Sequence, residues 1–211
     1  TVFSAKKKGV SCTLYESGSL TVQGKEMDPF IEFYLEPEIL NTFRHSHPTA
    51  HLDLTPRIGK DEAGKGDFFG PLCVAAIYAD SDGIRLLAEI GACDSKRLSD
   101  ASILKIAAKI RASYSYTVIR LFPHKYNELY KKFKNLNRLP GWAHTAALGD
   151  MVRKTNCREA VLDQFADKHL MESALKQKKI EARLQQRTHG EEDLVVAAAS
   201  ILARAGFLEG M

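Results

Sequence analysis

The chain has no apolar run near the ~18 consecutive residues that a membrane-spanning helix needs, so no membrane is expected among its partners. Its four cysteines, Cys12, Cys73, Cys93 and Cys157, lie far apart and form no C-x-x-C pair. That scatter argues against a zinc ribbon or a disulfide framework, and a reducing, cytoplasmic setting is expected. Two common phosphate-binding templates are missing. No Gly-x-x-x-x-Gly-Lys-[Ser/Thr] occurs, and Gly64, Gly66 and Gly70 are spaced one residue too widely for a dinucleotide fingerprint. ATP and NAD are therefore not the expected phosphate ligands. Internal repeats and low-complexity tracts are also absent.

What is present suits a globular protein with a buried core: 211 residues, 45% of them hydrophobic, with a formal net charge of +4. The charge is uneven. Five basic side chains face seven acidic ones through residue 56, and 25 face 19 after it. A basic body with acids gathered at one motif fits a polyanion binder that also holds metal.

Turn and periodicity signals divide the chain into a small N-terminal domain over residues 1–45, a linker over 46–56 and a larger domain over 57–211. Val10–Gly24 reads as a hairpin, with strands Ser11–Tyr15 and Leu20–Gln23 about a Ser-Gly-Ser turn. Phe30–Leu40 fits a helix or a strand, with Pro37 leaving the choice open. The polar stretch Asn41–Pro56, which runs into the linker, carries His45, His47 and His51 without fixed-spacing partners, so solvation is expected for them instead of metal binding. From Arg57 onward, strand and helix patterns alternate. Strands are expected at Phe69–Tyr78, Tyr114–Leu121 and Glu159–Leu162. Helices are expected at Ile84–Ile90, Ser102–Ile110, Tyr126–Lys134, Trp142–Arg153, Lys168–Arg187 and Leu194–Leu208. The alternation argues for an α/β sheet covered by helices.

The richest stretch is Ile58-Gly59-Lys60-Asp61-Glu62-Ala63-Gly64-Lys65-Gly66-Asp67. Two adjacent carboxylates conflict unless a cation or a raised pKa removes the conflict. The Gly64-Lys65-Gly66 turn then offers bare amides and one positive charge to a phosphate. Asp163 follows the apolar strand Ala160-Val161-Leu162, so it must be solvated, paired or metal-bound. Glu191 and Glu192 stand just before the small-residue helix, where acids favour the helix dipole; capping is an equal reading for Glu192 and Asp193. A hard, all-oxygen site built from such acids would prefer Mg²⁺ or Mn²⁺, and two ions could clamp a scissile phosphate.

These segments, together with Phe69-Gly70-Pro71-Leu72, Asp94-Ser95-Lys96, Asn135-Leu136-Asn137, Asp163-Gln164-Phe165 and Val196–Arg204, resemble the type 2 ribonucleases H. The resemblance covers about residues 57 to 207. The lysine in Gly-Lys-Gly, a glutamate as the last acid and an N-terminal extension make it similar to bacterial ribonuclease HIII. It implies a ribonuclease H-like α/β catalytic domain and a small, β-rich N-terminal domain like the TATA-box-binding fold. It implies Asp61, Glu62, Asp163 and Glu191 as catalytic metal ligands, with Glu192 as the alternative to Glu191. Gly64, Lys65 and Gly66 would contact the substrate, as would Asp94, Ser95 and Lys96, for which a structural loop role is an equal reading. The implied reaction is metal-dependent endonucleolytic cleavage of RNA paired to DNA, leaving 5′-phosphate and 3′-hydroxyl ends, with two Mg²⁺ or Mn²⁺ ions and no protein partner. The late acid departs from the family register, in which Gly190 would hold that place. Family members carry more residues at both ends, so the small domain is expected to be incomplete.

Two rivals stand beside this reading. One is a ribonuclease HII-like enzyme that cuts at single embedded ribonucleotides, and the other is a non-catalytic nucleic-acid-binding protein. Lys125, Lys131, Lys132, Lys134 and Arg138 could meet hybrid phosphates or form a solvated face. Trp142, Phe165 and Ser200 are expected in packing roles.

Overall fold

A computed structural model describes residues 1–41, 52–135, 138–163, 168–187 and 192–211. His45, His47, His51, Phe165 and Glu191 therefore lie outside the described residues, as do most of the expected linker and the side chain of Asp163. The chain divides into two compact units, Thr1–Asp53 and Leu54–Met211.

The first unit holds a three-stranded antiparallel sheet, β1 (Phe3–Lys7), β2 (Val10–Leu14) and β3 (Leu20–Gln23), in that spatial order. The expected hairpin is β2–β3, with β2 starting one residue earlier than read. Strand β1 carried no alternation signal because all five of its residues are exposed. Val10 and Cys12 alternate onto one buried face of β2. Helix α1 (Met27–Phe30) packs against that strand and continues as a π-helix over Ile31–Leu40. The open choice for Phe30–Leu40 thus resolves to a helical segment, which buries Ile31 and Leu35 although Pro37 lies inside it.

The second unit is built on a five-stranded sheet ordered β6-β5-β4-β7-β8. Its strands are β4 (Arg57–Ala63), β5 (Leu72–Ala79), β6 (Tyr116–Leu121), β7 (Glu159–Asp163) and β8 (Arg183–Arg187). The first three form an antiparallel meander, while β7 pairs in parallel with β4 and β8 in parallel with β7. The strand expected from Phe69 begins only at Leu72, since Gly70 sits at φ +90° and Pro71 follows it. Helices α2 (Ser81–Glu89), α3 (Asp100–Ser113), α4 (Pro123–Phe133), α5 (Arg138–Thr155), α6 (Lys168–Gln177) and α7 (Leu194–Leu208) complete the unit. Helix α4 starts three residues before the expected Tyr126, because Pro123 supplies a preset φ at the first helical position.

One expectation fails. Lys168–Arg187 is not one charged helix: α6 stops at Gln177, Lys179 turns through φ +52°, and the chain returns as β8. Charged and polar residues suit an edge strand, whose outer side faces water, and they hid its period-2 signal.

Side chains alternate along β4 and so divide between two layers. Ile58 joins the core of Val74, Ala76 and the α5 residues Ala143, Ala147, Leu148 and Met151. Gly59 faces the other way, toward α7. A Cβ there would stand 2.3 Å from the Val195 carbonyl carbon, so only glycine lets α7 rest on the strand. Helix α7 is buried almost all round, as expected of an apolar helix at the centre of a fold.

Candidate active site

The same alternation settles the conflict between the adjacent acids. Asp61 follows the Gly59 face and Glu62 the Ile58 face, so the two side chains start out in opposite directions at the strand's end, where both still line one cleft. Asp61 Oδ1 accepts the Glu62 backbone N–H at 2.8 Å. The parallel register pairs Lys60 with Leu162, and one further step sets Asp163 level with Asp61 on the neighbouring strand.

Glu62 is held by both of its oxygens. Oε2 lies 3.0 Å from Nε2 of His144 on α5, and Oε1 lies 3.7 Å from the Lys65 ammonium. Burial alone would raise its pKa, but the His144 bond and the nearby Lys65 ammonium outweigh it and hold the carboxyl below its ordinary value. Burial acts in the opposite sense on His144, whose pKa is lowered despite the bond to Glu62. Complete burial decides the pair: the ring is neutral, and its Nε2–H donates to ionised Glu62. Just behind them lies Lys60, fully buried and, among the described residues, with no hydrogen-bond partner for its ammonium. Burial takes its pKa down from 10.5 to about 7, against the attraction of Glu62.

Beyond β4 the chain turns at Gly64, where φ is +87° and a Cβ would stand 2.2 Å from the Pro71 carbonyl oxygen. That turn brings Gly64, Lys65 and Gly66 onto the wall of a cleft of about 620 Å³. Asp61, Glu62 and Asp67 share this wall; Ser95, Lys96, Asp100 and Arg204 face it. Asp94 does not line the cleft. Its carboxylate accepts the Lys96 N–H at 3.1 Å and shapes the loop. Ser200, expected only to pack, also ties this loop down: its Oγ accepts the Ser95 N–H at 3.1 Å and donates to the Ala197 carbonyl at 2.9 Å.

At the start of α7 two neighbouring acids have different surroundings. Glu192 is exposed and is not among the described residues of the cleft wall. Asp193 is buried, accepts the Val195 and Val196 N–H groups as the helix cap, and pairs with Arg57 through Nε at 2.9 Å and Nη2 at 3.2 Å. Of the basic positions, Lys125, Lys131, Lys132, Lys134 and Arg138 are all exposed, and Lys125 and Lys132 pair with Glu128. Trp142 packs partly buried against the core, with the Lys178 ammonium 5.3 Å from its ring centre.

Asp61 and Glu62 could hold a hard divalent ion, since both offer carboxylate oxygens and Glu62 is kept ionised. Among the described residues, no three His, Cys, Asp or Glu side chains gather closely enough to complete such a site. The sequence reading named no histidine beside these acids, and His144 is a residue it missed. Its sequence signal was the spacing of His144, Leu148 and Met151, which puts the histidine on the buried stripe of α5. Lys60 was legible in the same way, two residues from buried Ile58 on a strand.

Residues 58–211 match the family model of ribonuclease HII. The chain belongs to the ribonuclease HII family. Within that family it is similar to ribonucleases HIII: the whole chain is 52% identical to the ribonuclease HIII of Protochlamydia amoebophila, covering 70% of that protein. It is 50% identical to that of Chlamydia felis, covering 71%. A crystal structure of Bst-RNase HIII in complex with Mn²⁺ matches the whole chain with a TM-score of 0.71 at 28% identity, over 72% of that protein. The mixed sheet and its helices are thus a ribonuclease H-like fold preceded by a β-sheet region. Membership makes the chain a ribonuclease H-type endonuclease, a hydrolase.

Proposed function

We propose that the chain hydrolyses the RNA strand of RNA–DNA hybrids in a reaction that depends on Mg²⁺ or Mn²⁺, leaving 5′-phosphate and 3′-hydroxyl ends. The observation that carries this reading is the strand register, which sets Asp163 level with Asp61 beside a cleft lined by Glu62 and the Gly-Lys-Gly turn. The Mn²⁺ held by a relative of the same fold supports the choice of ion. Divalent ions in such a site neutralise the phosphate and acidify the attacking water.

The protein's own part is binding and orientation. Asp61, Glu62 and Asp163 would hold the ions, together with Glu191 or, in its place, Glu192. The Gly64 and Gly66 amides and the Lys65 ammonium would hold the backbone of the substrate strand. An RNA-specific enzyme must touch a 2′-hydroxyl, and the bare backbone of this turn would make that contact. Ser95 and Lys96 would brace the opposite wall, with Asp94 shaping their loop. Four free cysteines agree with a reducing, cytoplasmic setting.

The test is a labelled RNA–DNA hybrid incubated with the chain and either Mg²⁺ or Mn²⁺, with the products sized and their ends determined. Cleavage confined to the RNA strand is the expected result. A chain that leaves the hybrid intact with both ions would end this reading. Because the matching family model is that of ribonuclease HII, a duplex with one embedded ribonucleotide belongs in the same assay. Preferential cleavage there would favour the second substrate class.

A further inference from the structure

The two groups that hold Glu62 differ in kind. Lys65 stands partly exposed on the turn that also faces substrate, and an exposed ion pair of this sort fixes little. His144 has no exposure at all and sits on α5 among Ala143, Ala147 and Leu148. Close packing locks its ring, so a bond from that ring transmits the rigidity of the core to a side chain with three free torsions. A carboxylate oxygen only accepts, so the ring nitrogen at 3.0 Å must donate. His144 lies behind the cleft and is not part of its wall, which keeps it away from reacting atoms.

We infer that His144 is a positioning residue that, from inside the core, holds the Glu62 carboxylate in the orientation needed to take a divalent ion. The inference rests on the proposed role of Glu62 as a metal ligand. Lys65 leaves Glu62 when the turn engages a phosphate, whereas His144 stays, so the orientation survives substrate binding. Groups that orient a ligating side chain in this way change metal affinity by about 10- to 100-fold when they are removed.

The test is a titration of Mn²⁺ with the whole chain, without hybrid, following free Mn²⁺ by electron paramagnetic resonance; thermal melts check that each variant folds. Glu62→Gln is expected to weaken Mn²⁺ binding. His144→Leu, similar in volume but without a donor, is expected to weaken it by at least about tenfold. His144→Gln, whose amide nitrogen reaches the place of Nε2, is expected to stay within about threefold of the unmodified chain. If His144→Leu does not melt cooperatively, His144→Asn, whose amide falls short of Glu62, takes its place against His144→Gln. Weakened binding in Glu62→Gln with undiminished binding in the folded donor-less variant would overturn the positioning role and leave the site intact. Equal losses in the Gln and donor-less variants would also overturn it, by reducing the effect to packing. Undiminished binding in Glu62→Gln would instead remove the metal role of Glu62.

Discussion

Strand β4 carries buried charge at both of its ends, and the two ends are built differently. At the start, Arg57 meets Asp193 through two nitrogens, gives a third to the Thr55 carbonyl, and leaves Asp193 free to cap α7 as well. Charge, donors and acceptors there answer one another, as buried ions require. At the far end, Lys60 has no hydrogen-bond partner among the described residues, and Glu62 is held ionised at the wall of an open cleft. A protein tolerates unbalanced charge where it works and closes it where it only stands. The start of β4 is therefore read as structural, and its end as the site.

The sharpest way to break that comparison is to remove a carboxylate at the working end. Asp163→Asn is expected to lower cleavage of the hybrid about a thousandfold, the several kcal/mol carried by a metal-held phosphate. Hybrid affinity measured by fluorescence anisotropy should hardly change. Loss of binding in parallel with cleavage would contradict the assignment and favour a binding role for the acids.

Asp193→Ala attacks the closed end. It strands Arg57 in the core and uncaps α7, so unfolding in urea should show a loss of about 3–5 kcal/mol, while the folded fraction still cleaves. An unchanged urea midpoint with abolished cleavage would invert the comparison.

Lys60 sharpens it through pH. Its folded pKa, about 7, lies below the unfolded value of 10.5. Between those values the unfolded chain binds a proton that the folded chain does not, so stability rises with pH across this window. Below pH 7 the buried charge costs its full penalty. Lys60→Met should therefore be the more stable chain at pH 6 without divalent ions, and its advantage should shrink as pH approaches 10. Parallel stability curves for the two chains would show that Lys60 is not held uncharged by burial.

The smallest expected effect belongs to Lys65, half-exposed on the turn. Lys65→Ala should weaken hybrid binding by a few-fold and reduce the slope of log affinity against log salt by about one unit, as for one lost phosphate contact. An unaltered salt slope would remove Lys65 from the substrate surface.

Much of this molecule is legible in its sequence. Ala197-Ala198-Ala199 with flanking aliphatics marked a helix apolar on all sides, and α7 is that helix, central and buried. The ordered motifs from Asp61 to Arg204 were enough to point to the family. The illegible parts share a cause, which is that their signal lay in partners distant along the chain. Arg183-Leu184-Gln185 reads as charged surface until β7 pairs with it. Asp193 reads as one more acid at a helix start until Arg57, 136 positions away in the chain, comes to meet it.

The sequence alone determined the kind of chemistry. It supplied carboxylates at a strand end, a turn that only glycine can make, and an apolar helix to cover them, because residue type and local spacing suffice for all three. Only the tertiary structure decided which groups hold those carboxylates. The strand pleat turned Asp61 and Glu62 in opposite directions, and helix α5 on one layer brought His144 to Glu62. Contacts of that kind depend on where two distant segments meet in space, which no local pattern encodes.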